Sequence, residues 1–391
     1  MGLDFSRLLS DRSKQLQPSG IRRIFELSAT LKDPINLSIG QPDFPVPDAV
    51  KRAAIDAIER DHNGYSMTNG VAPLRERCAA HIAQDVGWDT PAVAVTSGTC
   101  GALFLMSLAL LGEGDEIIVP DPYFVAYPKQ ATIAGGTAVR CDTYPDFKMT
   151  AERVEPLITK RTKAVLLNCP GNPSGAVMTQ GECRELLELC RRKGVLLISD
   201  EIYDEFTFDD AREDYANGRH CPSPAREPGS QEDVLLIRGF SKTYAVTGWR
   251  LGYIAGPAAL VSEINKLSQF SFVCAPTPLQ YGAMACFDCD MSGTIADYAK
   301  RRDMVVERLG QHTKVTKPGG AFYAFVETPD HFANSTQLVE AALKKNVVLI
   351  PGEVFSDRDT HFRLSFATDP RKLAQGLDVL EQLLAAAPAT R

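Results

Sequence analysis

The 391-residue chain predicts an α/β protein with a mainly parallel sheet covered by helices, and three observations carry that expectation. Short apolar runs rich in β-branched residues alternate with stretches of helical periodicity over residues 93–199. Such alternation implies crossover connections, which place helices on both faces of a parallel sheet. Polar and glycine-rich motifs stand just after the strand-like runs, where open sheets of this kind gather their ligands.

In chain order, an amphipathic stretch over 21–27 precedes an apolar run over 35–39 that ends in Gly40-Gln41-Pro42. Pro47-Asp48 starts a helix in which Val50, Ala53, Ala54, Ala57 and Ile58 recur at helical spacing. A Gly/Asn-rich loop holding Tyr65 leads to a helix over 73–86. Residues 93–95 read as a strand, 96–101 as a turn and 102–111 as a helix. A strand, a glycine-rich turn and a helix make an anion site, because free N–H groups and the positive end of the helix dipole converge there. The alternation continues with strands at 116–119, 137–141, 164–167 and 195–199, and helices at 123–134, 151–158 and 180–193.

Strands at 234–237 and 251–256 flank a loop carrying Lys242 and, eight positions later, Arg250. The polar stretch 209–233 reads as a surface loop. Helical patterns follow at 258–272, 278–287 and 294–310, strands at 321–326, 347–350 and 362–366, and a closing helix at 371–384. The expected division is a large domain over 47–290 and a small domain made of 1–46 with 291–391.

A net charge of −7 provides no basic field for nucleic acid, and no window is apolar enough to span or anchor in a membrane. Ten cysteines without a paired framework point to a reducing, cytoplasmic setting. Cys286 and Cys289 have metal-like spacing but no second pair, so packing thiols and no metal are expected.

The candidate chemistry centres on Lys242. An amine beside a cation such as Arg250 is held partly unprotonated, which suits attack on an aldehyde. Asp200 ends an apolar strand, where a lone charge would need a partner. Arg363 is a guanidinium in an apolar strand, suited to two-pronged capture of a carboxylate.

The motifs Asn168-Cys169-Pro170-Gly171-Asn172-Pro173-Ser174-Gly175, Ser199-Asp200-Glu201-Ile202-Tyr203, Ser241-Lys242 with Arg250, and Phe362-Arg363-Leu364 stand together in this order. They resemble the class I and II aminotransferases, fold-type-I enzymes that use pyridoxal 5'-phosphate (PLP). The resemblance covers nearly the whole chain. Through Ser19-Gly20-Ile21-Arg22-Arg23 and Ile39-Gly40-Gln41-Pro42 it is closest to the aspartate and aromatic branch.

The resemblance implies that Lys242 carries PLP as an imine and then acts as the base. Asp200 would hold a proton on the pyridine nitrogen, Phe124 would stack on the ring, and Asn172 and Tyr203 would bind the ring oxygen. Gly98, Thr99, Cys100, Ser241 and Arg250 would hold the phosphate, with Tyr65 reaching the same group from a second subunit of a homodimer. Arg363, Asn172 and Gly40 would bind the substrate, and Ile21 would line the pocket mouth. Gly239 stands where many relatives have a hydroxyl, three positions before the lysine.

The expected activity is transfer of an amino group from an L-amino acid, aspartate or aromatic favoured, to a 2-oxo acid such as 2-oxoglutarate. Alternatives are alanine as donor, a PLP-dependent C–S β-lyase, or a non-catalytic PLP-binding regulator. No arginine is placed by the motifs to receive a second carboxylate.

Overall fold

In the computed structural model, which describes residues 3–17, 20, 24, 28, 31–89 and 91–385, seven strands form one central sheet. The strands outside it include β1 (Ile35–Asn36), and the sheet itself begins with β2 (Ala92–Thr96), β3 (Glu116–Asp121), β4 (Thr137–Asp142), β5 (Thr162–Asn168) and β6 (Leu196–Asp200). After a hairpin of β7 (Glu213–Tyr215) and β8 (Gly218–His220), β9 (Val234–Gly239) and β10 (Gly252–Gly256) complete it. The spatial order is β2-β10-β9-β6-β5-β3-β4, and only β10 runs antiparallel to its neighbours. Every other strand therefore ends at the same edge, and β10 begins there.

Register brings the motifs together at that edge. Asn168 pairs with Asp200 and Asp200 with Ile237, while Gly252 sits between Gly239 and Thr96. Interior strands such as β5 and β9 are apolar without alternation because helices cover both faces. Helix Gly98–Leu110 lies within the core and is apolar nearly all round, burying Ala102, Leu103, Leu105 and Met106. Helix Gln180–Lys193 is set by local signals: a Thr179–Glu182 capping box starts it, and Gly194 in the left-handed region ends it.

A second sheet, ordered β11-β14-β13, joins β11 (Tyr323–Glu327), β14 (His361–Ser365) and β13 (Ile350–Pro351). The β1 strand pairs in parallel with β12 (Val347–Val348), so the first part of the chain is tied to the last third. Aromatic residues Phe206, Phe208, Phe322, Phe325, Phe355, Phe362 and Phe366 pack the core under this sheet.

Several expectations need correction. The turn placed at 96–101 ends at Ser97, because Gly98, Thr99 and Cys100 already form the first turn of helix Gly98–Leu110. The helix expected from 123 begins at Ala126, leaving Phe124 in the connector. The single strand expected over 347–350 is two short strands that pair with different partners. The stretch 209–233 is not simply a surface loop: it folds into the β7–β8 hairpin and three 3-10 turns, and Pro222, Ser223, Pro224 and Ala225 are buried. Ile21 and most of the amphipathic stretch 21–27 lie outside the described residues; Ile24 is buried.

Candidate active site

A cavity of about 400 Å³ opens at the strand edge where the register converges. Gly40, Thr99, Cys100, Phe124, Asn172, Asp200, Tyr203, Ser241, Lys242, Arg250 and Arg363 line it, so residues spread over more than 300 positions meet in one place. Gly98 is at the same spot: an added Cβ would lie 2.7 Å from Arg250 Nη2, and its φ of +68° is one that glycine adopts without strain. Tyr65 is apart from the cavity within one chain and is 88% exposed.

Lys242 Nζ donates to the Gly40 carbonyl at 2.6 Å and lies 6.0 Å from the centre of the Tyr203 ring. Burial, reinforced by the positive fields of Arg363 and Arg250, pulls its pKa down to about 8. About a tenth of such an amine is unprotonated at pH 7, far more than of an ordinary lysine, and the neutral form is what a nucleophile or base must supply.

Asp200 is buried at the end of β6. Burial pushes its pKa up to about 6, opposed by the Tyr127 hydroxyl, which donates to Oδ2 at 2.7 Å. A carboxylate this poor in partners is suited to holding a proton on a cationic ring nitrogen, whose charge would supply the missing counter-ion. Arg363 Nη1 donates to Asn172 Oδ1 at 3.0 Å and Nη2 to the Ser38 carbonyl at 2.8 Å. Its guanidinium lies over the Tyr323 ring at 4.4 Å, while Nε is buried without a hydrogen-bond partner. Among the described residues no carboxylate forms a salt bridge with it, so an anion from outside is the natural partner.

At the other end of the cavity, the first turn of helix Gly98–Leu110 faces Arg250, which is held by an Nη1 donation to the Thr247 carbonyl at 3.0 Å. Free N–H groups, a helix dipole and a guanidinium make an anion cradle of phosphate size. Gly239 is closely packed: a Cβ there would come within 2.8 Å of Ile202 Cδ1 and 3.1 Å of Thr99 Cγ2, so a hydroxyl side chain would require the end of Ile202 to shift.

Residue-by-residue reading had missed Tyr127 as the partner of Asp200, and Tyr323, whose hydroxyl lies 3.1 Å from that of Tyr203. It had also missed Asn168, whose side chain donates to the Asp200 carbonyl and accepts from the Asn172 N–H. A tyrosine within the aromatic run Phe322-Tyr323, and an asparagine ending the apolar β5, were the available signals.

A half-buried lysine of lowered proton affinity, a buried carboxylate and an anion cradle on this sheet suit a PLP-dependent transferase. The donor set fits the cofactor: the cradle would take its phosphate, Asp200 its ring nitrogen and Lys242 its aldehyde. Residues 32–380 match the family described as aminotransferase class I and II, and the chain belongs to that family. It is 34% identical to an aspartate aminotransferase of Geobacillus stearothermophilus, over 97% of this chain and 99% of that one. It is 32% identical to aromatic-amino-acid aminotransferase 2 of Thermococcus litoralis, over 96% of this chain and 98% of the relative. Among solved structures, the aspartate aminotransferase from Thermus thermophilus with maleate superposes with a TM-score of 0.89 at 32% identity, covering 96% of this chain and 99% of that one. These comparisons establish a PLP-dependent aminotransferase of the fold-type-I class and do not favour the lyase alternative.

Proposed function

We propose that the enzyme transfers the amino group of an L-amino acid, with aspartate or an aromatic residue as preferred donor, to a 2-oxo acid such as 2-oxoglutarate by ping-pong exchange. The observation that carries this reading is the joint placement of Lys242, Asp200 and Arg363 around one cavity. The donor class is supported by relatives named for aspartate and for aromatic amino acids.

When bound, PLP supplies an electron-withdrawing ring that makes the α-proton of an amino acid removable. Gly98, Thr99, Cys100, Ser241 and Arg250 would hold its phosphate, Phe124 would cover its ring, and Asn172 and Tyr203 would bind the ring oxygen. Asp200 would keep a proton on the ring nitrogen. Arg363, held by Asn172 and Ser38, would take the substrate α-carboxylate and so fix the α-carbon near Lys242. The Lys242 amine, released from Gly40, would then carry the proton from that carbon. With Arg250 and Arg363 so used, no further arginine is among the described lining residues, and the donors left for a second carboxylate include the Gln41 amide and the Thr247 and Tyr323 hydroxyls.

The active form is a homodimer in this reading. Tyr65, Met67 and Phe270 are large and exposed, an arrangement that favours burial against a second copy, and the partner subunit's Tyr65 would complete the phosphate site. Residues 47–290 would act as the large domain, with 1–46 and 291–391 as the small one. All ten cysteines are free, which supports a cytoplasmic location, and among the described residues no helix is long and apolar enough to cross a membrane.

Steady-state kcat/KM over aspartate, phenylalanine, tyrosine and alanine with 2-oxoglutarate tests the reading. Glutamate should form fastest with aspartate or the aromatics. Pyruvate and ammonia from cystathionine, without glutamate, would instead establish the lyase. Borohydride reduction of the PLP-loaded enzyme should leave the pyridoxyl label on Lys242 and on no other lysine.

A further inference from the structure

We propose that Tyr323 is a positioning residue for both halves of the active site: its hydroxyl orients that of Tyr203, and its ring carries the guanidinium of Arg363. The proposal rests on the roles given above to Tyr203 at the ring oxygen and to Arg363 at the substrate carboxylate. Tyr323 opens β11 and is buried in the wall of the cavity. In the β11–β14 register Phe325 lies opposite Arg363, so Tyr323, two residues before Phe325, shares a face of the sheet with both. That diagonal puts the guanidinium carbon 4.4 Å from the centre of the Tyr323 ring, with the Phe355 ring at 4.8 Å. Aromatic faces stabilise a buried cation that has no carboxylate beside it.

The hydroxyl has a separate task. Tyr323 Oη lies 3.1 Å from Tyr203 Oη, the two rings meet edge to face, and neither hydroxyl makes another hydrogen bond among the described residues. Burial pushes both phenols up, so both keep their protons. Two hydroxyls hold two protons and their contact uses one, so the pair offers the cavity a single donor. Its outlet depends on the direction of the contact. If Tyr203 donates to Tyr323, nothing is left for the ring oxygen; if Tyr323 donates, the Tyr203 proton is free to reach it.

Packing favours the second direction. Gly40 lies so near that a Cβ there would be 3.1 Å from Tyr323 Oη, which narrows the approach of a ligand to that oxygen. The Tyr323 hydroxyl is thus committed to Tyr203 rather than to a substrate carboxylate. A hydroxyl that accepts one hydrogen bond donates a stronger one, so Tyr323 strengthens the contact that Tyr203 makes. One side chain then ties the cofactor side of the cavity to the substrate side.

The test reads the visible absorption of the PLP-loaded enzyme against pH, which reports the proton held beside the ring oxygen. A donor to that oxygen drains its negative charge and loosens the proton, so losing the donor raises the midpoint. Tyr203→Phe should raise it by about 1–2 pH units, and Tyr323→Phe by about 0.3 units in the same direction. The double variant should move no further than Tyr203→Phe alone, because Tyr323 acts through Tyr203. Tyr323→Phe keeps the ring and should change KM for the amino donor less than about twofold, whereas Tyr323→Met should raise it at least about tenfold. If Met unsettles the fold, Tyr323→Leu takes its place. A midpoint unmoved in Tyr323→Phe but raised in Tyr203→Phe would overturn the role of the hydroxyl, and an unraised KM in the folded aliphatic variant would overturn that of the ring. A midpoint unmoved in both phenylalanine variants would remove Tyr203 from the ring oxygen, and the proposal with it.

Discussion

Two groups of buried charge lie within four residues of each other along the chain, at Arg238 and Lys242, and they are built on opposite plans. Arg238 is surrounded by acceptors: Asp85, Glu201 and Asp204 all lie within 3.2 Å, and only Nη1 lacks a partner. Asp200 and Arg363 are as buried, Lys242 is half-buried, and all three are sparsely matched, with the Tyr127 hydroxyl, the pair Asn172 and Ser38, and the Gly40 carbonyl respectively. A buried charge supplied with counter-ions stabilises one arrangement of the chain. A buried charge without one is held for a group that arrives later, and its shifted proton affinity records that. The comparison predicts that substitutions in the first group act on folding and those in the second on chemistry.

The largest effect is expected at Lys242. Lys242→Ala should lower kcat by about 10⁴-fold or more, since both nucleophile and base are lost, while the thermal midpoint of the apoenzyme is kept or raised. A matching loss of fold would break the comparison. Arg238→Met should do the reverse, leaving Glu201 and Asp204 without a cation while Asp85 keeps Arg226, at a cost of about 3–5 kcal/mol in urea unfolding.

Asp200→Asn sharpens the contrast because both readouts move. With its pKa raised to about 6 from 3.8, Asp200 binds a proton more tightly folded than unfolded, so its ionisation opposes folding. The apoenzyme should lose stability from this group as pH rises from 4 to 6, and Asn should remove that loss. At pH 7 the variant apoenzyme should be more stable by up to about 3 kcal/mol, yet transaminate at a small fraction of the normal rate. Urea unfolding at pH 4.5 and 7 checks the first part, and single-turnover kinetics checks the second.

Arg363→Lys keeps the charge but not the planar fork. Its kcat/KM should fall about 30-fold, mostly through KM, with PLP affinity unchanged. The smallest effect is expected at Tyr65: Tyr65→Phe should weaken PLP binding about tenfold in the dimer, one hydrogen bond to a charged group being worth about 1.4 kcal/mol. An unchanged PLP affinity would remove Tyr65 from the phosphate site.

Much of the site was legible because each cofactor-facing residue sits in a short motif at the end of an apolar strand. Asp200 after Leu196–Ser199, Lys242 after Val234–Gly239 and Gly98 after Ala92–Thr96 could each be placed from periodicity and turn residues. Element ends were less legible. The helix at Gly98 starts earlier than its apolar residues suggest, because Gly-Thr-Cys-Gly has weak helical preference and is held there by the sheet edge and Arg250. The 209–233 stretch looked like open loop because its composition is polar, yet Glu201 accepts from Ser223, and Arg226 pairs with Asp85. Partners far away in sequence drew it inward.

By itself the order of residues determined the α/β alternation, since strand and helix periods are local properties, and its motifs carried the family resemblance that points to lysine, aspartate and arginine as the reacting groups. The tertiary structure alone decided what each group touches. Tyr127 meets Asp200 across 73 positions, Tyr203 meets Tyr323 across 120, Arg363 meets Asn172 across 191 and Lys242 meets Gly40 across 202. Such pairings depend on strand order and register, which bring distant segments to one edge, and those same contacts set the proton affinities on which the chemistry depends.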